Sequence, residues 1–132
     1  MVAEPGPRIR SAAAELLAAG GTLIAGHSAH VFQGVAPRVL FDLGDFLDDY
    51  AAHPEPRNDL GLLWLVDLEP TGPRRIRALP LALDFCFTRA ASPAEADWIV
   101  RRLQQLCAPF GTDVECAAGG LIELHRTQGT AS

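Results

Sequence analysis

Two histidines, His27 and His30, follow the short apolar run Leu23-Ile24-Ala25-Gly26. Neutral imidazole is the commonest protein ligand of transition metals, and two imidazoles on one short loop supply two coordination bonds at little ordering cost. A structural zinc site takes about four protein ligands and a catalytic one about three plus water, so the pair calls for further donors. The next acidic residues, Asp42 and Asp45, flank Leu43-Gly44. Such carboxylates could ligate a metal, or hold an imidazole through its second ring nitrogen. They could equally cap the turn that Gly44 permits, since Asp is a favoured cap and turn residue. The corresponding plain reading of His27 and His30 is two loop histidines bonded to backbone or water, because H-x-x-H acquires meaning only from its structural context.

Several elements must position these groups. Residues 7–19 place Ile9, Ala12, Ala13, Leu16 and Leu17 at helical spacing ahead of Gly20, which predicts an amphipathic helix covering a sheet. Residues 22–25 read as a short buried strand, and the helix-then-strand order belongs to an α/β layer architecture. The His loop would then leave that strand at its carboxyl end, the edge where ligand sites of open α/β sheets gather. After Pro37 a second strand is expected at 39–41, running into Asp42 and Asp45. Asp48, Asp49 and Tyr50 extend a polar turn, and 53–56 is a loop with a solvated His53. Residues 62–68 and 74–83 are expected to pair as an antiparallel hairpin across Gly72-Pro73. Ser92-Pro93-Ala94-Glu95 is a capping box with proline in the first helical position, opening a helix to about 108. Its apolar stripe is Ala96, Ile99, Val100, Leu103, Leu106 and Cys107, with Gly111 to stop it. Residues 114–117 and 121–124 read as a closing hairpin, with His125 at its end.

The chain has 132 residues, 48% of them hydrophobic and 20% charged, the balance of one folded domain. No apolar run approaches the roughly 20 residues of a membrane-spanning helix, and the start lacks the apolar core of a signal peptide. A cytoplasmic location and no membrane segment are therefore expected. The net charge is -5 and all 11 basic residues are arginine, so the surplus of positive charge that nucleic-acid binding demands is missing. Arg74, Arg75 and Arg77 are expected on a strand, with Arg75 and Arg77 on one solvated face. Cys86, Cys107 and Cys116 are odd in number and show no C-x-x-C spacing, which reads as reduced thiols. There is no G-x-S-x-G, phosphate loop, dinucleotide fingerprint or internal repeat.

The run Gly26-His27-Ser28-Ala29-His30-Val31-Phe32-Gln33-Gly34, followed by Val39-Leu40-Phe41-Asp42-Leu43-Gly44-Asp45-Phe46 and Asp48-Asp49-Tyr50, resembles the carboxyl-terminal signature of CapA-type poly-gamma-glutamate capsule biosynthesis proteins. In that family the signature reads G-H-S-P-H-V-x-Q-G and then Leu-Gly-Asn-Phe; this chain has Ala29 for the proline and Asp45 for the asparagine. The resemblance implies a fold similar to calcineurin-like metallophosphoesterases, a two-sheet β-sandwich flanked by helices with metal ligands on loops at the sheet ends. It implies His27 and His30 as metal ligands, Asp42 and Asp45 as further ligands or orienting groups, and Gly26, Ser28, Gln33 and Gly44 as loop support. The metal would be manganese, iron or zinc.

The likeness covers only the last third or so of such a protein. The family's early Gly-Asp strand end, Asn-His segment and His-Trp-Gly segment have no counterpart here. The expected fold class is accordingly α/β (α+β), a single partial domain over 1–132 with flexible ends at 1–6 and 126–132. Its metal site is incomplete, and its partner is the missing amino-terminal half or a second copy of the chain. A metallophosphoesterase-type site needs several more ligands than two histidines, so activity of the chain alone is not expected. The alternatives are a non-catalytic structural or binding module without metal, and a small hydrolase using His27 or His30 as general base oriented by Asp42 or Asp45.

Overall fold

A computed structural model of the chain describes residues 3–47 and 57–128. The expected polar turn of Asp48, Asp49 and Tyr50, the loop with His53, and the outermost end residues lie outside the described residues. Helix α1 spans Pro7–Ala18 and is followed by three two-residue strands, β1 (Ile24–Ala25), β2 (Val35–Ala36) and β3 (Val39–Leu40). Next come β4 (Leu60–Glu69), β5 (Gly72–Asp84), β6 (Phe87–Ala90) and helix α2 (Pro93–Cys107). A 3₁₀ turn at Ala108–Phe110 leads to β7 (Thr112–Cys116) and β8 (Ile122–Arg126).

The strands form two sheets, one in the order β1-β3-β2 and one in the order β4-β5-β8-β7 with β6 alongside β5. The β1/β3 pair is parallel, and the other ladders are antiparallel. With two helices beside two sheets, the fold is of mixed α+β class.

The hairpin β4/β5 is longer than its hydrophobic pattern predicts, and its register sets Leu62 against Pro80, Trp64 against Ala78 and Val66 against Ile76. Alternation then turns Leu60, Leu62, Ile76, Ala78 and Ala82 to one face, where they are buried. Against that face lies the expected stripe of α2, with Ile99, Leu103, Leu106 and Cys107 buried and Ala96 and Val100 half-buried. Val35 and Leu40 of the small sheet join the same core, so α2 ties the two sheets together. Each such Leu or Ile contributes about 1.5–3 kcal/mol through burial. The capping box that starts α2 is formed: the Ser92 hydroxyl accepts from Glu95 N–H at 3.3 Å, and the Glu95 carboxylate accepts from Ser92 N–H at 2.8 Å. Gly34 lets the small sheet meet this helix, because a Cβ there would lie 2.3 Å from the Leu106 carbonyl oxygen.

Three expectations need correction. In α1 only Ala13 is buried and Leu17 half-buried, while Ile9 and Leu16 are 54% and 53% exposed. The three strands it faces are two residues each, too small to cover the whole predicted stripe. Strand 22–25 shortens to β1, an edge strand half-buried at Ile24 and exposed at Ala25, rather than a buried core strand. Strands β2 and β6, which carry no alternating pattern, were not anticipated. Arg75 and Arg77 do share a face with carboxylate partners, Arg75 with Glu123 at 3.0 Å and Arg77 with Asp67 at 3.7 Å. Among the described residues no helix is long and apolar enough to cross a membrane.

Candidate functional site

The parallel pairing of β1 with β3 assembles the site. It sets Ile24 opposite Val39 and Ala25 opposite Leu40, so the residues after Ala25 and after Leu40 emerge at the same end of the small sheet. The ladder continues past the strands: Gly26 N–H donates to the Leu40 carbonyl at 2.9 Å, and Leu43 N–H donates to the Gly26 carbonyl at 3.0 Å. Gly26 is required there, since a Cβ would lie 2.1 Å from the Phe41 carbonyl oxygen. The strand offset of 15 residues reappears in the loops, where His30 Nδ1 meets Asp45 at 3.2 Å to Oδ1 and 3.3 Å to Oδ2.

Asp42 and Asp45 divide the roles that sequence left open. Asp42 is 4% exposed. Its Oδ2 accepts from Ala29 N–H and its Oδ1 from Gly44 N–H, both at 2.9 Å. The carboxylate therefore caps the turn that bears Gly44 and also pins the middle of the His loop. Asp45 faces His30. An ionised carboxylate only accepts, so the shared proton sits on His30 Nδ1 and, in the neutral ring, the Nε2 lone pair is left outward. His27 Nδ1 lies 2.7 Å from Ser28 Oγ. With its proton on Nδ1 this ring too donates to the hydroxyl and presents Nε2 as a lone pair. Among the described residues neither Nε2 has a hydrogen-bond partner.

The loop is conformationally costly. Ser28 (φ 91) and His30 (φ 65) lie in the left-handed region without being glycine. Residues held there cost on the order of 1–3 kcal/mol each and persist where surrounding contacts impose them. Here the Asp42 bond to Ala29 sits between the two strained residues. Gly44 takes φ 75, and a Cβ on it would meet the Phe32 nitrogen at 2.9 Å, which keeps the turn against the bridge between Phe32 and Leu43. Gln33 is 5% exposed, and its backbone N–H donates to the Asp42 carbonyl at 3.1 Å.

Trp64 is the supporting residue that sequence reasoning missed. Its indole N–H donates to the Leu43 carbonyl at 2.9 Å, so β4 of the large sheet fastens the turn between Asp42 and Asp45. The available signal was a Trp on a half-buried hairpin face, whose N–H must find an acceptor. His125 lies inside β8, with Nε2 3.5 Å from Glu115 Oε1, away from the His loop. Cys107 is buried, and its sulfur accepts from Val35 N–H at 3.4 Å, while Cys86 and Cys116 are exposed free thiols.

Chemically the site offers two imidazole nitrogens, one of them oriented by a carboxylate. Among the described residues no group of three or more His, Cys, Asp or Glu is gathered to hold a metal ion. The donor set fits part of a metal centre, and a full one requires donors from outside these residues. No protein-family model matches the chain, and no curated protein matches it.

Proposed function

We propose that this chain is the carboxyl-terminal part of a CapA-like protein with a metallophosphoesterase-type sandwich, acting in synthesis of a poly-gamma-glutamate-type capsule polymer. Its contribution is a pair of ligands, His27 and His30, to a divalent-metal centre. The observation that carries this reading is the contacts of the two rings: each Nδ1 has a local partner, Ser28 Oγ or Asp45, and among the described residues neither Nε2 has a hydrogen-bond partner. Ligating histidines commonly donate the second ring nitrogen to a carboxylate, which fixes the tautomer and raises ligand basicity. Bound manganese, iron or zinc would supply an acidic water and polarise a phosphoryl or acyl oxygen. The chain's own residues orient: Asp45 holds His30, and Asp42 and Trp64 fix the loops that bear them.

The remaining donors come from an amino-terminal segment or a second copy. The outer side of β4 is an unpaired sheet edge among the described residues, and Leu63 and Leu65 beside it are each 37% exposed. Such an edge is where a sheet is extended by another strand. Calorimetric titration of zinc and manganese into the purified chain tests the reading. Saturable binding that weakens at least about tenfold in His27→Ala/His30→Ala is expected. Equal binding by the variant would overturn the reading, and no binding by either protein would select the alternative, a non-catalytic structural or binding module in which the two rings serve only Ser28 and Asp45.

A further inference from the structure

At the opposite end of β3 from the His loop, a cleft of about 210 Å³ opens between the two sheets. Its ionisable lining is Arg74, Arg75, His125 and Arg126. Among the described residues no carboxylate lines it, although the chain carries 16 acidic residues against 11 arginines. Its floor is apolar: Val35, Ile76 and Leu124 line it and are 1%, 7% and 5% exposed. Pro37 and Pro73 form stiff walls, and Thr112 is turned away, its hydroxyl donating to the Val35 carbonyl at 2.6 Å.

The arginines are not equally occupied. Arg75 is held by Glu123 at 3.0 Å, whereas Arg74 reaches its nearest carboxylate, Glu69, only at 3.9 Å. Arg126 has no ion pair among the described residues. Two arginines in the lining of a small cleft with an apolar floor suit a ligand with an acidic head and an apolar body, because the planar fork of arginine matches a carboxylate in bidentate fashion. At about 30 Å³ per water the cleft holds on the order of seven waters' worth of volume, the scale of a compact organic acid. Polyanions are disfavoured by the net charge of -5.

We infer that this cleft binds a small apolar carboxylate, its tail over Val35, Ile76 and Leu124 and its head between Arg74 and Arg126. The assignment is independent of the metal reading, since it uses none of the same residues. Backbone amide NMR on the full chain tests it, with hexanoate, acetate, hexanol and inorganic phosphate as separate probes. Hexanoate is expected to shift the Thr112, Leu124 and His125 amides saturably, at a concentration about tenfold below acetate, and hexanol and phosphate to bind more weakly than hexanoate. Arg74→Gln/Arg126→Gln, at two exposed positions, should weaken hexanoate binding about tenfold while keeping the spectrum of the folded core. Hexanoate binding no better than acetate, tighter binding of phosphate, or an unaffected variant would each overturn the assignment.

Discussion

Asp42→Ala should be among the most damaging changes near the His loop, although the side chain touches no ligand. The carboxylate is 4% exposed and accepts two backbone N–H bonds at 2.9 Å, one from Ala29 and one from Gly44. A hydrogen bond to a charged group contributes about 1.5–3 kcal/mol net. Ala29 and Gly44 are only half-buried, so water recovers part of each loss, and the lower end of the range applies. The sum is about 3 kcal/mol, set against a total stability of about 5–15 kcal/mol for a domain. With a urea m-value of about 1–3 kcal/mol/M, the unfolding midpoint should fall by about 1–3 M. Asp42→Asn retains one acceptor oxygen and should lose about half as much. The change should also weaken metal binding, because the strained pair Ser28 and His30 loses the bond that holds Ala29 between them. A loss below about 1 kcal/mol for Asp42→Ala, or equal losses for Ala and Asn, would refute the clamp.

Other outcomes follow from single contacts. Gly26→Ala places a methyl 2.1 Å from the Phe41 carbonyl oxygen, which is backbone and cannot swing aside, so the β1/β3 junction must part; a loss above about 2 kcal/mol in chemical denaturation is expected, and a neutral effect would contradict it. Cys107 is fully buried and burial pushes its thiol up to about 11; a disulfide reagent should react quickly with Cys86 and Cys116 and reach the third thiol only after unfolding, whereas three fast thiols would contradict the packing. Glu95 is held down to about 2 by Arg89 first and the Ser92 backbone next. Its contribution is therefore full above its ordinary value of 4.5 and is lost as pH falls through about 2. The stability gap between wild type and Glu95→Gln should be constant from neutrality to about pH 5 and close below it; a gap that widens on acidification would contradict the assignment.

Much of the large sheet and of α2 was legible because its signals are local. The capping box is written in four consecutive residues, and the β4/β5 hairpin in hydrophobic alternation around Gly72. Sequence placed Asp42 and Asp45 at the end of the strand predicted over 39–41, and the parallel β1/β3 register is what brings that end to the His loop. The division of labour between the carboxylates was not legible, because it depends on which one faces inward once Gly44 has turned the chain. The exposure of Ile9 and Leu16 was hidden for a similar reason: helical spacing defines a stripe, whereas the width covered depends on the size of the opposing sheet. Strand β2 exists through pairing with β3, and two residues carry no period to read. The anchor from Trp64 crosses 21 residues and two sheets, so its acceptor could not be named from composition.

In the proposed metal centre, Nδ1 of both His27 and His30 is engaged within the chain while Nε2 faces the metal. Long-range ¹⁵N imidazole spectroscopy of the labelled chain, with and without zinc, measures this directly. Both rings are expected to be protonated on Nδ1 in the neutral form, with zinc shifting Nε2 of His27 and His30 and leaving His125 unmoved. Rings protonated on Nε2, or Nε2 signals that zinc does not move, would contradict it.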